Sequence, residues 1–404
     1  LALLIFQPWS AAADSKVEVR VRVQREAVNI ELTGFGLRIS SPSHLIAIAA
    51  PSDGHLSKAK ITRSKKGVWL VKRAGEETLH IDSERLAVRG QMLRLGMEPV
   101  PHELEILPNP KAGMDVVARL DMESYLAGVL PSEMPASWPI EALKAQAVAA
   151  RSFVLRTAYE RRNKHFDVDS TVMDQVYKFL HEAKGHPEWK ARITKAINDT
   201  RGEVLMDDRN RVVKAFYSAD CGCQTEDPKF VWGKVDTMKS VTDPTCGQRK
   251  TRQWNVTVDR LEVREKLIRQ FSLPEDSNLR AVQIAGRTPS GRVANVMASL
   301  EVDGKNKQIL MNSQQFRKIF GFDRIRSTDF KLRWLGSKMQ ILGSGMGHGV
   351  GLCQTGAKAM AEGGMDYREI LKLYYPKVKL SGGKPDKPAS PPRNNAALRF
   401  RGPV

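Results

Sequence analysis

The chain has 404 residues, 41% of them hydrophobic, with 64 Lys and Arg against 45 Asp and Glu and a formal charge of +19. That apolar content at this length supports buried cores in two or three domains and excludes an intrinsically disordered chain. The positive excess suits an anionic partner such as an acidic envelope polymer, but no zinc finger or RNP box accompanies it, so nucleic acid is not the expected ligand.

The opening LALLIFQPWSAAA, residues 1–13, joins an apolar run to three alanines before Asp14, the pattern that ends a secretory signal peptide. The run is too short to span a bilayer, so the expectation is an exported protein, periplasmic or secreted. Residues 14–112 read as a small β-rich domain. Valines at 17, 19, 21 and 23 alternate strictly in VEVRVRV, and NIELTGFGLRIS, GVWLVKRAG, LAVRGQMLRLG and HELEILPN follow between Gly, Pro and Ser breaks.

Residues 113–378 read as a mixed region, giving an α+β fold overall. DVVARL predicts a strand, and Asp121 opens a helix in DMESYLAGVL. A long helix follows in PIEALKAQAVAARSFVLRTAYERR, with Pro139 in its first turn and one apolar face made by Leu143, Ala147, Ala150, Val154 and Ala158. VLMDDRNRVVKAFYSA predicts a hairpin, and Asp259 with Glu262 and Asp366 with Glu369 form capping-box patterns at two further helices. Residues 379–404, rich in Pro, Gly and Lys, are expected to be a mobile basic tail.

No G-x-S-x-G elbow, H-E-x-x-H helix or Walker loop occurs, and the eight histidines are scattered. The most unusual stretch is GVLPSEMPASWP, in which Glu133 is expected in a proline-bracketed turn beside Met134 and Trp138. Apolar walls there would raise its pKa and keep a proton available for general acid catalysis, while the N-terminus of the next helix would pull the other way. Residues 347–364, GHGVGLCQTGAKAMAEGG, set His348 among glycines that let the backbone pass close to a sugar or to the Glu133 turn. In an oxidising compartment Cys246 is expected to bridge to either Cys221 or Cys223. Zinc is disfavoured there, because Cys221-Gly222-Cys223 lacks a two-residue spacer and a close histidine. His165, Asp167, Asp169 and Asp174 are read as solvated turn residues rather than metal ligands.

Four blocks in order, YLAGVLPSEMPASWPIEALKAQAVAARSFVL, then DQVY, then AFYSADCGCQTE with VWG behind it, then GSGMGHGVGLCQTGAKAMA with LYYP, resemble the SpoIID/LytB family over residues 113–378. The β-rich region before them is not covered. The resemblance implies a SpoIID-like catalytic domain and a lytic transglycosylase that cuts peptidoglycan glycan strands between N-acetylmuramic acid and N-acetylglucosamine. The family's catalytic glutamate falls on Glu133. One carboxyl group would protonate the glycosidic oxygen and then take the proton of the muramyl 6-hydroxyl, leaving a 1,6-anhydro end with no second carboxylate and no cofactor.

The same resemblance implies that Arg151, Ser152, Gln175, Tyr177, Tyr217, Ser218, His348, Gln354 and Tyr375 bind substrate or shape its cleft. Tyr217-Ser218 stands where the family more often has His-Ser. Some members bind zinc through cysteines just before Q-V-Y, but HFDVDSTVMDQVY has none, so no metal is expected. Cys353 and Thr355 replace Ser and Tyr, which makes Cys353 a buried free thiol. Some relatives are named as modifiers, so a non-catalytic peptidoglycan-binding protein or amidase enhancer is the alternative; the oligomeric state is left open.

Overall fold

The computed structural model describes residues 17–382 apart from 43–44, 48–55, 74–76, 112, 172–173, 180–186, 234–237 and 248–250. The expected signal segment at 1–13 and the tail beyond 382 lie outside the described residues. Strict alternation in VEVRVRV becomes the strand Glu18–Ala27, with Val19 and Val21 in the core and Arg20 and Arg22 on the other face. The strand joins an eleven-stranded sheet. Its order runs Val168–Asp169, Glu18–Ala27, Met114–Asp121, Glu103–Pro108, Leu86–Leu95, Asn29–Ser40, Leu56–Arg63, Trp69–Arg73 and Leu79–Ile81, with Leu45–Ala47 and Glu98–Pro99 added at its sides. Leu32, Ile39, Ile61, Trp69, Val88 and Ile106 are fully buried in its core.

The boundary expected at residues 112 and 113 falls just before Met114–Asp121, which is hydrogen-bonded into this sheet on both sides. The β-rich region and the α+β region therefore share one sheet, and a charged network crosses the seam. Fully buried Asp115 accepts hydrogen bonds from Arg22 Nη1 at 3.0 Å and Asn109 Nδ2 at 2.8 Å, and its Oδ2 lies 2.8 Å from His165 Nε2. Burial alone would raise its pKa, but the bonds from Asn109, the Glu26 backbone, His165 and Arg22 hold it below the ordinary range.

Eight helices are present among the described residues: α1 Met122–Glu133, α2 Ile140–Glu160, α3 Pro187–Asp199, α4 Lys229–Trp232, α5 Arg260–Phe271, α6 Ser313–Phe320, α7 Gln354–Glu362 and α8 Tyr367–Tyr374. The Asp121 side chain caps α1 by accepting from Ser124 N–H, and Asp366 and Glu369 complete the expected capping box on α8. The box expected at α5 does not form: Asp259 makes no side-chain cap bond, and the Glu262 side chain pairs with Arg324.

The single apolar face expected for α2 is also corrected. Every residue from Ala145 to Val154 is buried, because α1, α3, α7, α8 and the strand Val204–Met206 surround the helix. Its alanines leave room for those neighbours to come close, which a helix of leucines would not. Val204–Met206 begins the expected hairpin, closed by the Met206–Val212 bridge, and it pairs on its other side with Lys379–Ser381. Residues 379–381, counted above as tail, are thus a strand, held by backbone hydrogen bonds to an otherwise open edge.

Residues 253–344 build a second core that the sequence reading did not separate. Gln253–Asp259, Lys338–Ser344 and Phe330–Leu335 form one sheet and Asn278–Arg287, Val293–Val302 and Lys305–Asn312 another, with α5 and α6 packed on them around Val296, Leu300, Phe316, Phe330 and Ile341. Gln253 and Ser344 are register partners, so the chain enters and leaves this unit side by side. Among the described residues no helix is long and apolar enough to cross a membrane.

Candidate active site

Glu133 is the last residue of α1 rather than part of a free turn. Pro131 is accommodated in the final turn, where Ser132 Oγ donates to the Gly128 carbonyl and Met134 N–H closes on the Leu130 carbonyl. The carboxyl group is half-buried and accepts one hydrogen bond, from Val176 N–H to Oε1 at 2.8 Å. Burial raises its pKa above the ordinary 4.5, against the opposing pull of the Val176 N–H and the Tyr217 hydroxyl. The carbonyl-rich end of α1 works in the same direction as burial. The expected influence of the α2 N-terminus is thereby outweighed.

The donor Val176 is brought to Glu133 by a close approach at Gly128. Lys178 N–H bonds to the Gly128 carbonyl at 3.3 Å. A Cβ on Gly128 would sit 2.5 Å from Tyr177 Cε2 and 2.7 Å from the Lys178 carbonyl oxygen. The glycine of GVLPSEMP is therefore what lets the DQVY segment lie against α1.

Tyr217 leads the short strand Tyr217–Ser218, which pairs in parallel with Leu352–Cys353. Its hydroxyl faces the Glu133 carboxyl and the Gln175 amide closely enough to influence both, yet it completes a well-formed hydrogen bond with neither. Burial and the charge of Glu133 raise the Tyr217 pKa, which keeps the hydroxyl protonated as a donor. Gln175 is fully buried: its Oε1 accepts from Tyr125 Oη at 2.8 Å and its Nε2 donates to the Ala150 carbonyl at 3.3 Å. Glu133, Tyr217, Gln175 and Tyr125 thus form one polar cluster in an otherwise apolar core. Sequence reasoning missed Tyr125 and the Val176 backbone. Tyr125 stands eight positions before Glu133 on α1, a spacing that puts both on one side of the helix.

His348 does not reach the acid directly. Its Nδ1 accepts from Val350 N–H at 3.0 Å, which assigns the proton to Nε2. The ring packs edge-on against Trp232 at 4.9 Å and Phe216 at 6.1 Å. Burial, reinforced by the positive charges of Arg317 and Arg292, pushes its pKa down to about 3, with the Tyr217 backbone as the opposing influence. His348 is therefore neutral and backs the strand that carries Tyr217. The surrounding glycines do not pass close to the Glu133 turn, as expected, but to other groups. A Cβ on Gly351, at φ +72°, would collide with the Phe216 carbonyl, and one on Gly349 would lie 2.5 Å from Arg292 Cζ.

Most of the other expected cleft residues are structural. Arg151 is 2% exposed; its guanidinium donates to Glu123 Oε2 at 2.7 Å and to the Glu203 carbonyl at 3.0 Å, several turns along α2 from Glu133. Ser152 Oγ donates to the Val148 carbonyl and accepts from Leu205 N–H. Tyr177 stacks on Tyr125 inside the core, Gln354 Nε2 donates to Gln146 Oε1, and Tyr375 Oη donates to the Phe216 carbonyl at 2.7 Å. Each side chain is used within the fold, so none presents itself to a sugar. Ser218 is buried, and its Oγ has no hydrogen-bond partner.

The residues before DQVY do not fit a resident zinc ion, since their donor atoms are taken. Asp167 is paired with Arg20, Asp169 with Arg22, Asp174 with Arg161 and His165 with Asp115, so what was read as a set of solvated turn residues is an ion-pair network. Of the two disulfide alternatives, Cys223–Cys246 forms, and Cys221 and Cys353 are buried thiols outside any disulfide, with Cys221 N–H donating to Cys353 Sγ at 3.2 Å.

A family profile for stage II sporulation protein (SpoIID) matches residues 110–206. The stage II sporulation protein D of Bacillus amyloliquefaciens is 31% identical over 337 residues, covering 79% of this chain and 89% of that protein. The chain belongs to the SpoIID family. The stage II sporulation protein D of Bacillus subtilis strain 168 is 30% identical over 313 residues, 74% of this chain and 86% of that protein. The amidase enhancer of the same strain is 31% identical over 297 residues, 63% of this chain and 40% of that protein. A second profile, a domain of unknown function, matches residues 237–351, which include the second core. Within the SpoIID match lie Glu133, Tyr125 and Gln175; Tyr217 and His348 lie beyond it.

Two outcomes test this arrangement. Gly128→Ala should cost about 1–3 kcal/mol in a denaturant titration, as overpacking does, by forcing the DQVY segment off α1. The depressed pKa of His348 means that its contribution to stability is complete above the ordinary 6.5 and is lost as pH falls from there toward 3. His348→Asn keeps an acceptor for Val350 N–H and removes the titration, so its stability should change less than that of the unmodified chain between pH 7 and pH 5.

Proposed function

We propose that the chain is an exported peptidoglycan lytic transglycosylase with Glu133 as its single acid and base. The observation that carries this reading is the raised pKa of a half-buried glutamate held by one backbone N–H and faced by one tyrosine hydroxyl. Val176 N–H occupies Oε1, which fixes the carboxyl plane and leaves Oε2 for the substrate. In the first half of the reaction Glu133 protonates the glycosidic oxygen. The new carboxylate is stabilised by Val176 N–H and by the Tyr217 hydroxyl, donors that matter more once the proton has left.

In the second half the carboxylate accepts the proton of the muramyl 6-hydroxyl as that oxygen closes on C1. The product is a 1,6-anhydro end, and Glu133 is protonated again. A hydrolase would need a second free carboxylate as nucleophile or base. The neighbouring Asp174 does not serve, because both its oxygens are engaged by Arg161. Similarity to an amidase enhancer supports one other reading, a wall-binding protein without bond cleavage.

Incubation with purified sacculi followed by mass spectrometry separates these readings. Anhydro-muramyl ends are expected, and reducing ends or no soluble product would overturn the mechanism. Glu133→Gln should lower the rate by about 10²- to 10⁴-fold. The rate should also fall as pH rises through the raised Glu133 pKa. A carboxyl group whose pKa is raised by folding loses stability as pH climbs above its ordinary 4.5. Glu133→Gln should therefore melt higher than the unmodified chain at neutral pH, with the gain vanishing below about pH 4. Tyr217→Phe should slow turnover about 10- to 100-fold while leaving the fold intact, the size expected for one charge-assisted hydrogen bond.

A further inference from the structure

Trp232 is 46% exposed, yet its ring is fixed. One face stacks on Phe216 with centroids 4.2 Å apart and planes at 16°, and its edge meets His348 at 4.9 Å. Phe216 in turn packs at 5.6 Å on Phe153 of α2, so the indole is braced through two further rings to the central helix. Its own helix, α4, is capped by Gly233 at φ +84°, and Lys229 N–H is tied to the Asp227 carboxylate at 3.1 Å. A large aromatic surface has been left in water and held rigid there.

We infer that Trp232 is a stacking platform for a pyranose ring of the glycan strand, forming a binding subsite beside the Glu133 cleft. The inference rests on the glycan reading of that cleft. The face of an indole carries partial negative charge and is flat, which complements the C–H groups on the apolar side of a pyranose while the sugar hydroxyls stay in water. A platform already fixed in its bound orientation loses little entropy on binding.

Its place in the fold points to the same ligand as the acid. Phe216 is the residue before Tyr217, and the imidazole that braces Trp232 also lies against the Tyr217 backbone. Lys214 Nζ lies 5.8 Å from the Phe216 ring and Lys229 Nζ 4.8 Å from the ring of Phe230, which is 41% exposed. Both ammonium groups are paired with acids, Lys214 with Glu160 and Lys229 with Asp227, so the platform's rim is close to neutral and its affinity rests on the ring face.

Calorimetric titration tests the platform without turnover. Peptide-stripped peptidoglycan strands and an N-acetylglucosamine oligomer would each be titrated into the full chain carrying Glu133→Gln. Adding Trp232→Ala should weaken binding of both ligands about tenfold, the size expected for one lost stacking surface, and Trp232→Phe should fall between. Weakening for the strands alone would still support the platform and restrict it to muramyl-containing glycan. Trp189→Ala is the control, because Trp189 is 48% exposed on α3 and should leave affinity unchanged. Unchanged affinity in a folded Trp232→Ala variant would overturn the inference, as would an equal loss in Trp189→Ala. Binding that depends on Trp232 in a chain that yields no anhydro ends would instead overturn the transglycosylase mechanism and leave the platform standing.

Discussion

Everything in the cleft depends on α2 being buried from all sides. A helix in that position must be narrow, and the run of alanines from 145 to 150, broken by Gln146 and Val148, makes it so. The Ala150 carbonyl holds the Gln175 amide, Phe153 supports the aromatic stack under Trp232, and Ser152 anchors the strand Val204–Met206. Larger side chains at the alanines would push α1 and α7 outward, and with them Glu133 and the strand beneath Tyr217. Residues distributed over more than two hundred positions thus take their spacing from one helix.

The acid sits where folding is least comfortable for it. Burial, the carbonyl end of α1 and a single backbone donor leave Glu133 short of the hydrogen bonds a carboxylate needs, and Tyr217 faces it without completing one. In the proposed mechanism such a pair, poorly satisfied at rest, becomes better satisfied once the proton has moved to a substrate oxygen. A site that stabilises its charged form only during reaction is complementary to the transition state rather than to the empty cleft. The same deficit is a cost of holding a charged Glu133 in this fold at neutral pH.

Features governed by neighbours in sequence were the most legible. Asp121 and the Asp366–Glu369 box cap their helices because the bonds span three residues and few partners compete. The Asp259–Glu262 box had the same pattern and failed: Asp259 makes no cap bond, and the Glu262 side chain turns to Arg324, distant in sequence. The resemblance singles out Glu133, but its place at a helix end was not legible, since Pro131 suggests a break and only the Ser132 and Met134 bonds show that the turn survives. Arg151, Tyr177 and Tyr375, expected at the substrate, all make contacts inside the fold. Polar residues in a family motif mark the fold's internal hydrogen bonds as readily as its ligand contacts. Residue pattern does not separate the two until burial is known.

The single point of entry and exit at Gln253 and Ser344 makes the unit from 253 to 344 a body on a stalk. Several contacts reach across beside that stalk: Arg292 donates to the Cys221 and Gln224 carbonyls, the Glu226 carboxylate accepts from the hydroxyls of Thr288 and Ser290, and Gly347 N–H donates to the Arg326 carbonyl. The contacts at Gln224 and Glu226 fall inside the ring that the Cys223–Cys246 disulfide closes, and the one at Cys221 just outside it. That ring contains the helix bearing Trp232, so the outer body's contacts at Gln224 and Glu226 fall on the same cross-linked loop as the indole. The cross-link thus ties the seam with the outer body to the segment that presents Trp232.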